Sequence, residues 1–269
     1  MDFYLHKPSK TLAQYVKSYW MIENIMDSGA THMQRIVPSG LIELSFYLSD
    51  IPESMDQSKS INGNSIVTGQ IKNYFDIRVS GNLSVFSVYF FPHGLAAILD
   101  MPVCELSNQT IPLKYLISDF TNELEDQLAA TKKFIERVLI IEKFLCKMLG
   151  QVRKKYQYER INHSIDIINQ RKGFTDIRHL ASAACLSRKQ FERTFLDFVG
   201  SSPKQFLKVI RFQHAIYQKS LNTKLSLTQL ALDSGYYDQS HMIADFIALS
   251  GKTPKDYFGQ CDSVSDYFH

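Results

Sequence analysis

The chain has 269 residues, 45% of them apolar and 21% charged, a length and balance that allow two ordinary globular domains, each with its own core. No apolar run approaches the roughly 20 residues that span a membrane, and "MDFYLHKPSK" lacks the order of a secretory signal. Cys104, Cys146, Cys185 and Cys261 form no CxxC pair, which argues for reduced thiols in a cytoplasmic protein and against a disulfide frame, a metal site or another cofactor. The net charge of +3 is unevenly spread. Residues 151–222 hold 14 Lys and Arg against 5 Asp and Glu, whereas residues 1–150 hold 13 against 16 and residues 223–269 hold 3 against 6. A basic block between two acidic ones points to a polyanion as partner of the middle segment.

In chain order, the first hundred residues read as strand-rich. "LIELSFYLSD", from Leu41, alternates so that Ile42, Leu44, Phe46 and Leu48 share one face. "SVFSVYFF", from Ser84, is rich in β-branched and aromatic residues and is stopped by Pro92. Polar residues with Asn and Gly make 51–64 a loop. Helices are expected from "LAAILDMP" onward, one over 113–128 and a longer one over 131–155. In the latter, Phe134, Val138, Ile141, Leu145, Met148 and Val152 form a heptad-like seam. Two roles fit it: a helix buried in its own domain, or one that also supplies a dimer contact. "GQVRKKYQYER" then turns basic, which places the expected boundary between a domain over 1–155 and another over 156–269.

From Tyr158 onward the chain reads as helical and repeats itself. Leu180 and Ala181 match Leu230 and Ala231 at an offset of 50, while Phe195, Gly200, Pro203 and Phe206 match Phe246, Gly251, Pro254 and Tyr257 at an offset of 51. Each copy has the parts of a helix-turn-helix. A first helix (176–184 or 227–234) carries a small Ala where a second helix must cross. Ser187 or Asp238 can cap the second helix by accepting its free N–H groups. Phe191, Phe195 and Val199, or Met242, Phe246 and Leu249, are its buried positions. Gly200 and Gly251 fit a left-handed C-terminal residue, and Pro203 and Pro254 fit the first turn of the helix that follows.

With these parts the C-terminal segment, over roughly residues 158–258, resembles the DNA-binding module of the AraC/XylS transcriptional regulators, in which a long helix joins two helix-turn-helix units. The joining helix is "SPKQFLKVIRFQHAIYQKSL", and "GYYDQSHMIADFIALSGKTPKDYF" is similar to the family signature. "VPSGLIELSFYL" and "VYFFPHGLAAILDMPVCEL" look like a domain of unassigned function that recurs in front of this module. The resemblance implies a bacterial transcription regulator whose N-terminal domain binds a small effector, dimerises, or both. The expected fold is therefore α+β, a strand-rich α/β sensor-type domain followed by an all-α double helix-turn-helix domain.

Helical spacing then selects the residues that meet double-stranded DNA. In the first unit, Arg193 and Lys189 suit guanine, Glu192 suits cytosine, and Arg188 at the helix start suits a phosphate. In the second, Gln239 suits adenine, Ser240 a base or phosphate, His241 the backbone or an internal hydrogen bond, and Ile243 a thymine methyl. Ala244 and Ile247 stand where the family commonly has basic residues, so this helix either reads DNA through apolar and amide contacts or packs on protein. In the N-terminal half, Trp20, Glu43, Tyr47, Tyr89 and His93 are the candidate effector pocket, with buried aromatic packing as the other, more favoured role of the tyrosines. The alternative, an enzymatic N-terminal domain addressed to DNA, finds no Gly-rich phosphate loop, no GxSxG and no His-rich pattern. RNA polymerase and a second copy of the chain complete the expected partners, with no membrane among them.

Overall fold

In the computed structural model, which describes residues 2–24, 30–118, 120–149 and 155–260, two antiparallel sheets form the N-terminal half. The larger has six strands in the order β1 (Asp2–His6), β2 (Val16–Asn24), β8 (Leu83–Phe90), β4 (Ile42–Tyr47), β6 (Ser65–Thr68) and β9 (Thr110–Pro112). The smaller pairs β3 (Thr31–Ile36), β7 (Phe75–Ser80) and β5 (Glu53–Ser54). The alternation around Leu41 becomes a two-faced strand. Ile42, Leu44 and Phe46 lie opposite Phe90, Val88 and Phe86, all buried on one side. On the other side Glu43 lies opposite Tyr89 and Ser45 opposite Ser87, and β2 adds Trp20 opposite Ser87.

Three expectations change. The 51–64 loop contains β5 and a 3-10 turn (Gln57–Lys59), because Asp56 accepts the Ser58 N–H and starts that turn. The helix expected over 113–128 begins only at Thr121, as α2 (Thr121–Ala130), after a 3-10 turn at Leu113–Tyr115. The apolar period runs through that turn because Leu113 joins the same core as Leu124 and Leu128. The helix expected over 131–155 is α3 (Phe134–Leu149), and Val152 of its seam lies outside the described residues. Val138, Ile141 and Leu145 are buried in the core with the sheet's apolar side, whereas Ile135 and Leu139 are exposed.

The C-terminal half comprises α4 (Lys155–Gln170), α5 (Ile177–Ala183), α6 (Arg188–Val199), the joining helix α7 (Pro203–Leu221), α8 (Leu227–Asp233), α9 (Gln239–Ser250) and α10 (Pro254–Gln260). The signals that stop and start these helices work as their chemistry requires. Ser187 and Gln190 form a reciprocal capping box, and Asp238 accepts the His241 N–H. Gly200 and Gly251 are left-handed, with φ of 77° and 71°. The inter-helix turns also match, since Cys185 (φ 51°) and Gly235 (φ 77°) occupy equivalent left-handed positions.

One hydrophobic core runs from the sheet (Phe46, Phe86) through α3 (Ile141) and α4 (Ile161) into α6 (Phe191, Phe195) and the start of α7 (Phe206). A second core holds the other unit together: Phe212 of α7, Leu230, Met242, Phe246 and Tyr257. Residues 35–40 dock against the joining helix between them. Gln213 Nε2 donates to the Pro38 carbonyl at 2.7 Å and Gln70 Nε2 to the Gly40 carbonyl at 2.8 Å. Gly40 has φ of 78°, and a Cβ there would lie 3.3 Å from Ile210. Arg35 forks onto Asp76 at 2.8 Å, donates to the Ser250 carbonyl at 2.9 Å and lies 4.1 Å from the Tyr74 ring centre. At the other end of the contact, Tyr158 Oη donates to the Gln14 carbonyl at 2.9 Å. No helix among the described residues is long and apolar enough to cross a membrane.

A core shared in this way makes the sheet and the first helix-turn-helix one cooperative unit. The chain has a single tryptophan, Trp20, on β2. Thermal unfolding followed by Trp20 emission and by far-ultraviolet ellipticity is therefore expected to give coincident midpoints. A gap of more than about 5 °C between the sheet's transition and the main helical one would show that the halves unfold separately.

Candidate nucleic-acid interface and effector pocket

The cap at Ser187 sets the rotation of α6, and burial of Phe191, Phe195, Phe198 and Val199 fixes which side faces out. Arg188, Lys189, Arg193 and Leu196 are exposed, and Glu192 is half-buried. Glu192 accepts from Arg188 Nε at 2.9 Å across one turn, so two of the four residues expected to meet DNA hold each other. Lys189 and Arg193 are the exposed cations of α6 outside any ion pair among the described residues. Arg193 also rims a cleft of about 260 Å³ between α6, α4 and residues 100–102. Alongside it, Cys104 Sγ lies 3.7 Å from Asp197 Oδ1 on the same helix.

On α9, Ser240, His241, Ala244 and Ile247 are exposed, and Gln239 and Ile243 are half-buried. The apolar face of this helix is therefore not packed on the rest of the chain. Gln239 Oε1 accepts from Thr228 Oγ1 at 2.9 Å, which fixes the amide against α8. Sequence reading missed Asp245, a carboxylate on the inward side of α9. Its oxygens lie 3.2 Å from Lys208 Nζ and 3.6 Å from Arg211 Nη2, both on α7, and 3.9 Å from His241 Nε2. The available signal was a lone acid among Met242, Phe246 and Leu249, facing two cations spaced three residues apart on the joining helix. His241 also stands edge-on to Tyr236 at 5.3 Å, so its ring belongs as much to the internal scaffold as to the outer face.

Four of the five effector-pocket residues share one side of the six-stranded sheet, brought there by strand register. Trp20 and Tyr89 have ring centres 5.8 Å apart. The Ser87 and Ser45 hydroxyls, 3.0 Å from each other, hydrogen-bond the Glu43 carboxylate. Burial pushes the Glu43 carboxyl up to about 7, against the smaller opposing effect of these hydroxyls. Burial, and then the charge of Glu43, raise both Tyr47 and Tyr89. His93 is the correction. It sits at the start of α1 (Gly94–Leu99), its ring 4.9 Å from Tyr158, where burial lowers it to about 4. It belongs to the contact between α1 and α4, because Pro92 ends β8 and turns the chain away from the sheet. None of the five residues lines the cleft beside Arg193. No group of three or more His, Cys, Asp or Glu among the described residues could hold a metal ion.

Residues 180–260 match the family described as a helix-turn-helix domain, and residues 4–112 match a domain of unknown function, DUF6597. The chain is 30% identical over 200 residues to the HTH-type transcriptional regulator MtrA of Neisseria gonorrhoeae, covering 68% of this chain and 66% of that protein. It is 28% identical over 155 residues to an uncharacterized HTH-type transcriptional regulator of Haemophilus influenzae, covering 54% and 52%. The chain thus spans between about half and two thirds of the length of these curated relatives. Among solved structures, ToxT from Vibrio cholerae O395 aligns with a TM-score of 0.51 at 13% identity, over 91% of this chain and 99% of that one. ToxT bound to (E)-4-(8-methylnaphthalen-1-yl)but-3-enoic acid aligns with a TM-score of 0.50 at 15% identity, over 90% and 99%. The shared feature is the two-domain fold, a strand-rich half followed by a helical one.

The Glu43 environment has a consequence for stability. The folded chain keeps the Glu43 proton up to about pH 7, whereas the unfolded chain releases it near 4.5. Folding stability must then fall as pH rises through that window, by up to about 3 kcal/mol from this group. Urea unfolding of wild type and Glu43→Gln across the window checks this. The Gln variant is expected to gain on wild type as pH rises, and a pH-independent difference would contradict the assignment.

Proposed function

Because the chain belongs to the AraC/XylS family through its C-terminal double helix-turn-helix module, we propose that it is a sequence-specific DNA-binding transcription regulator with a sensor as its N-terminal half. The observation that carries this reading is the exposure of both recognition helices while the N-terminal half is docked against the joining helix. In this arrangement Lys189 and Arg193 read guanine, and Arg188 divides its charge between Glu192 and a backbone phosphate. The NH₂ of Gln239 and the hydroxyl of Ser240 reach base edges, and Ile243 with Ile247 meets thymine methyl groups. The two halves correspond to residues 1–155 and 156–269. The first takes a small effector rather than performing chemistry, on the polar side of the six-stranded sheet. Ile135 and Leu139 on α3 are where a second copy of the chain would pair, and RNA polymerase is the remaining partner of such a regulator in the cytoplasm.

The recognition helices are expected to respond differently to substitution once a bound sequence has been selected from random duplexes. Arg193→Ala costs about 1–3 kcal/mol, concentrated at one base pair. Arg188→Ala weakens binding to all sequences and lowers the salt slope by about one unit. Titrations of the full chain against single-base variants at several salt concentrations separate these. Equal losses at every position for Arg193→Ala would remove it from base reading.

Ala244→Arg places a charge on an exposed face. Its midpoint of unfolding should stay within about 2 °C of wild type, while affinity and salt slope both rise. A folded variant with unchanged binding would mean that α9 stays out of the groove.

A further inference from the structure

The polar side of the six-stranded sheet carries a cluster of side chains that the fold encloses without packing them into either core. Glu43, Tyr47 and Tyr89 are surrounded by protein yet each retains accessible surface. Trp20, Ile66 and Val85 on the same side, with Phe75 and Val79 on the smaller sheet, are buried but join neither packed core. This cluster has a definite chemistry. Its carboxylate, Glu43, is held by two hydroxyls, and among the described residues no cation acts on it; Lys59, over the Phe75 ring, is paired with Asp56. A carboxylate removed from water without a counter-charge is costly. Around it stand Tyr47, Tyr89 and Trp20, whose ring faces attract positive charge.

The geometry points to a small organic cation, an amine or quaternary ammonium, as the occupant, its charge at Glu43 and its carbon frame against Trp20, Tyr47 and Tyr89. This rests on the reading of that side of the sheet as the effector pocket and adds the class of ligand. An amine brings the missing counter-charge and needs no rearrangement of Ser45 or Ser87. A carboxylate ligand would meet like charge at ionised Glu43, and a neutral alcohol would give the ionised form no counter-charge and leave Glu43 protonated up to about pH 7. Binding of a cation favours ionised Glu43, so it tightens as pH rises through about 7 and releases a proton near that pH.

The test uses the full chain and Trp20 emission. Benzylamine and tetramethylammonium are titrated at about pH 8, beside benzyl alcohol and benzoate as neutral and anionic counterparts. The cations are expected to change the emission saturably. Glu43→Gln, which keeps the size and hydrogen bonds of the side chain, should raise the midpoint at least tenfold. A second arm needs no variant: with wild type, lowering the pH to about 5 should raise the cation midpoint at least tenfold, because Glu43 is then protonated. A response to benzyl alcohol or benzoate as strong as that to the cations overturns the cation assignment and leaves the effector pocket standing. Cation midpoints unaffected by pH do the same. Silence of Trp20 to all three kinds of probe overturns both the assignment and the pocket.

Discussion

The docking of residues 35–40 on the joining helix is the constraint on which the other features depend. Glycine at position 40 serves two needs there: φ of 78° and an approach to Ile210 that leaves little space for a side chain. Gln213 and Gln70 satisfy the two carbonyls that this approach buries, at Pro38 and Gly40; without them each would cost about 1–3 kcal/mol. Arg35 extends the contact to the last turn of α9 through the Ser250 carbonyl. The end of β3 and the turn after it therefore touch α7 and the end of α9 together. The strand that leaves this turn, β4, carries Glu43 three residues after Gly40. The candidate pocket and the contact with α7 are thus consecutive along the backbone.

The two helix-turn-helix units are held by different physics. The first shares the core of the sheet, and its outer face is cationic. The second has its own smaller core, and its inward Asp245 draws Lys208 and Arg211 of the joining helix toward the interior. Removing a charge from water is costly, and such a cluster is sustained only when its partners lie close. On the proposed reading its effect on recognition is by position: cations committed to Asp245 are held from phosphates, so the second unit would gain less from the DNA backbone than the first. The absence of Lys and Arg from α9 and the placement of Asp245 act in the same direction. On that reading the second unit would contribute through shape and apolar contact, and the affinity that salt screens would reside mainly in the first.

Sequence alone revealed what depends on local chemistry. The caps at Ser187 and Asp238, the left-handed glycines and the two-faced strand at Leu41 each follow from a few adjacent residues, and the repeat at offsets of 50 and 51 doubled their weight. Trp20, Glu43, Tyr47 and Tyr89 stand out in the sequence only as separate polar and aromatic residues, and strand register is what places Glu43 opposite Tyr89. His93 looked equivalent because it follows Tyr89 closely, but Pro92 separates it from the sheet. Asp245 was passed over because its meaning lies on another helix, at Lys208 and Arg211. The core shared between the sheet and α6 was hidden for the same reason: amphipathic patterns show that Phe191 and Phe195 are buried, not which element buries them.

Two recognition helices on one joining helix, held by one docked loop, should touch DNA as a rigid pair. Hydroxyl-radical footprinting of the full chain on its selected duplex measures this most directly. Two protected tracts are expected on one face of the helix, about 34 Å apart, with the tract under α6 fading first as salt is raised. Protection confined to a single groove, or two tracts whose spacing varies between bound sequences, would contradict it.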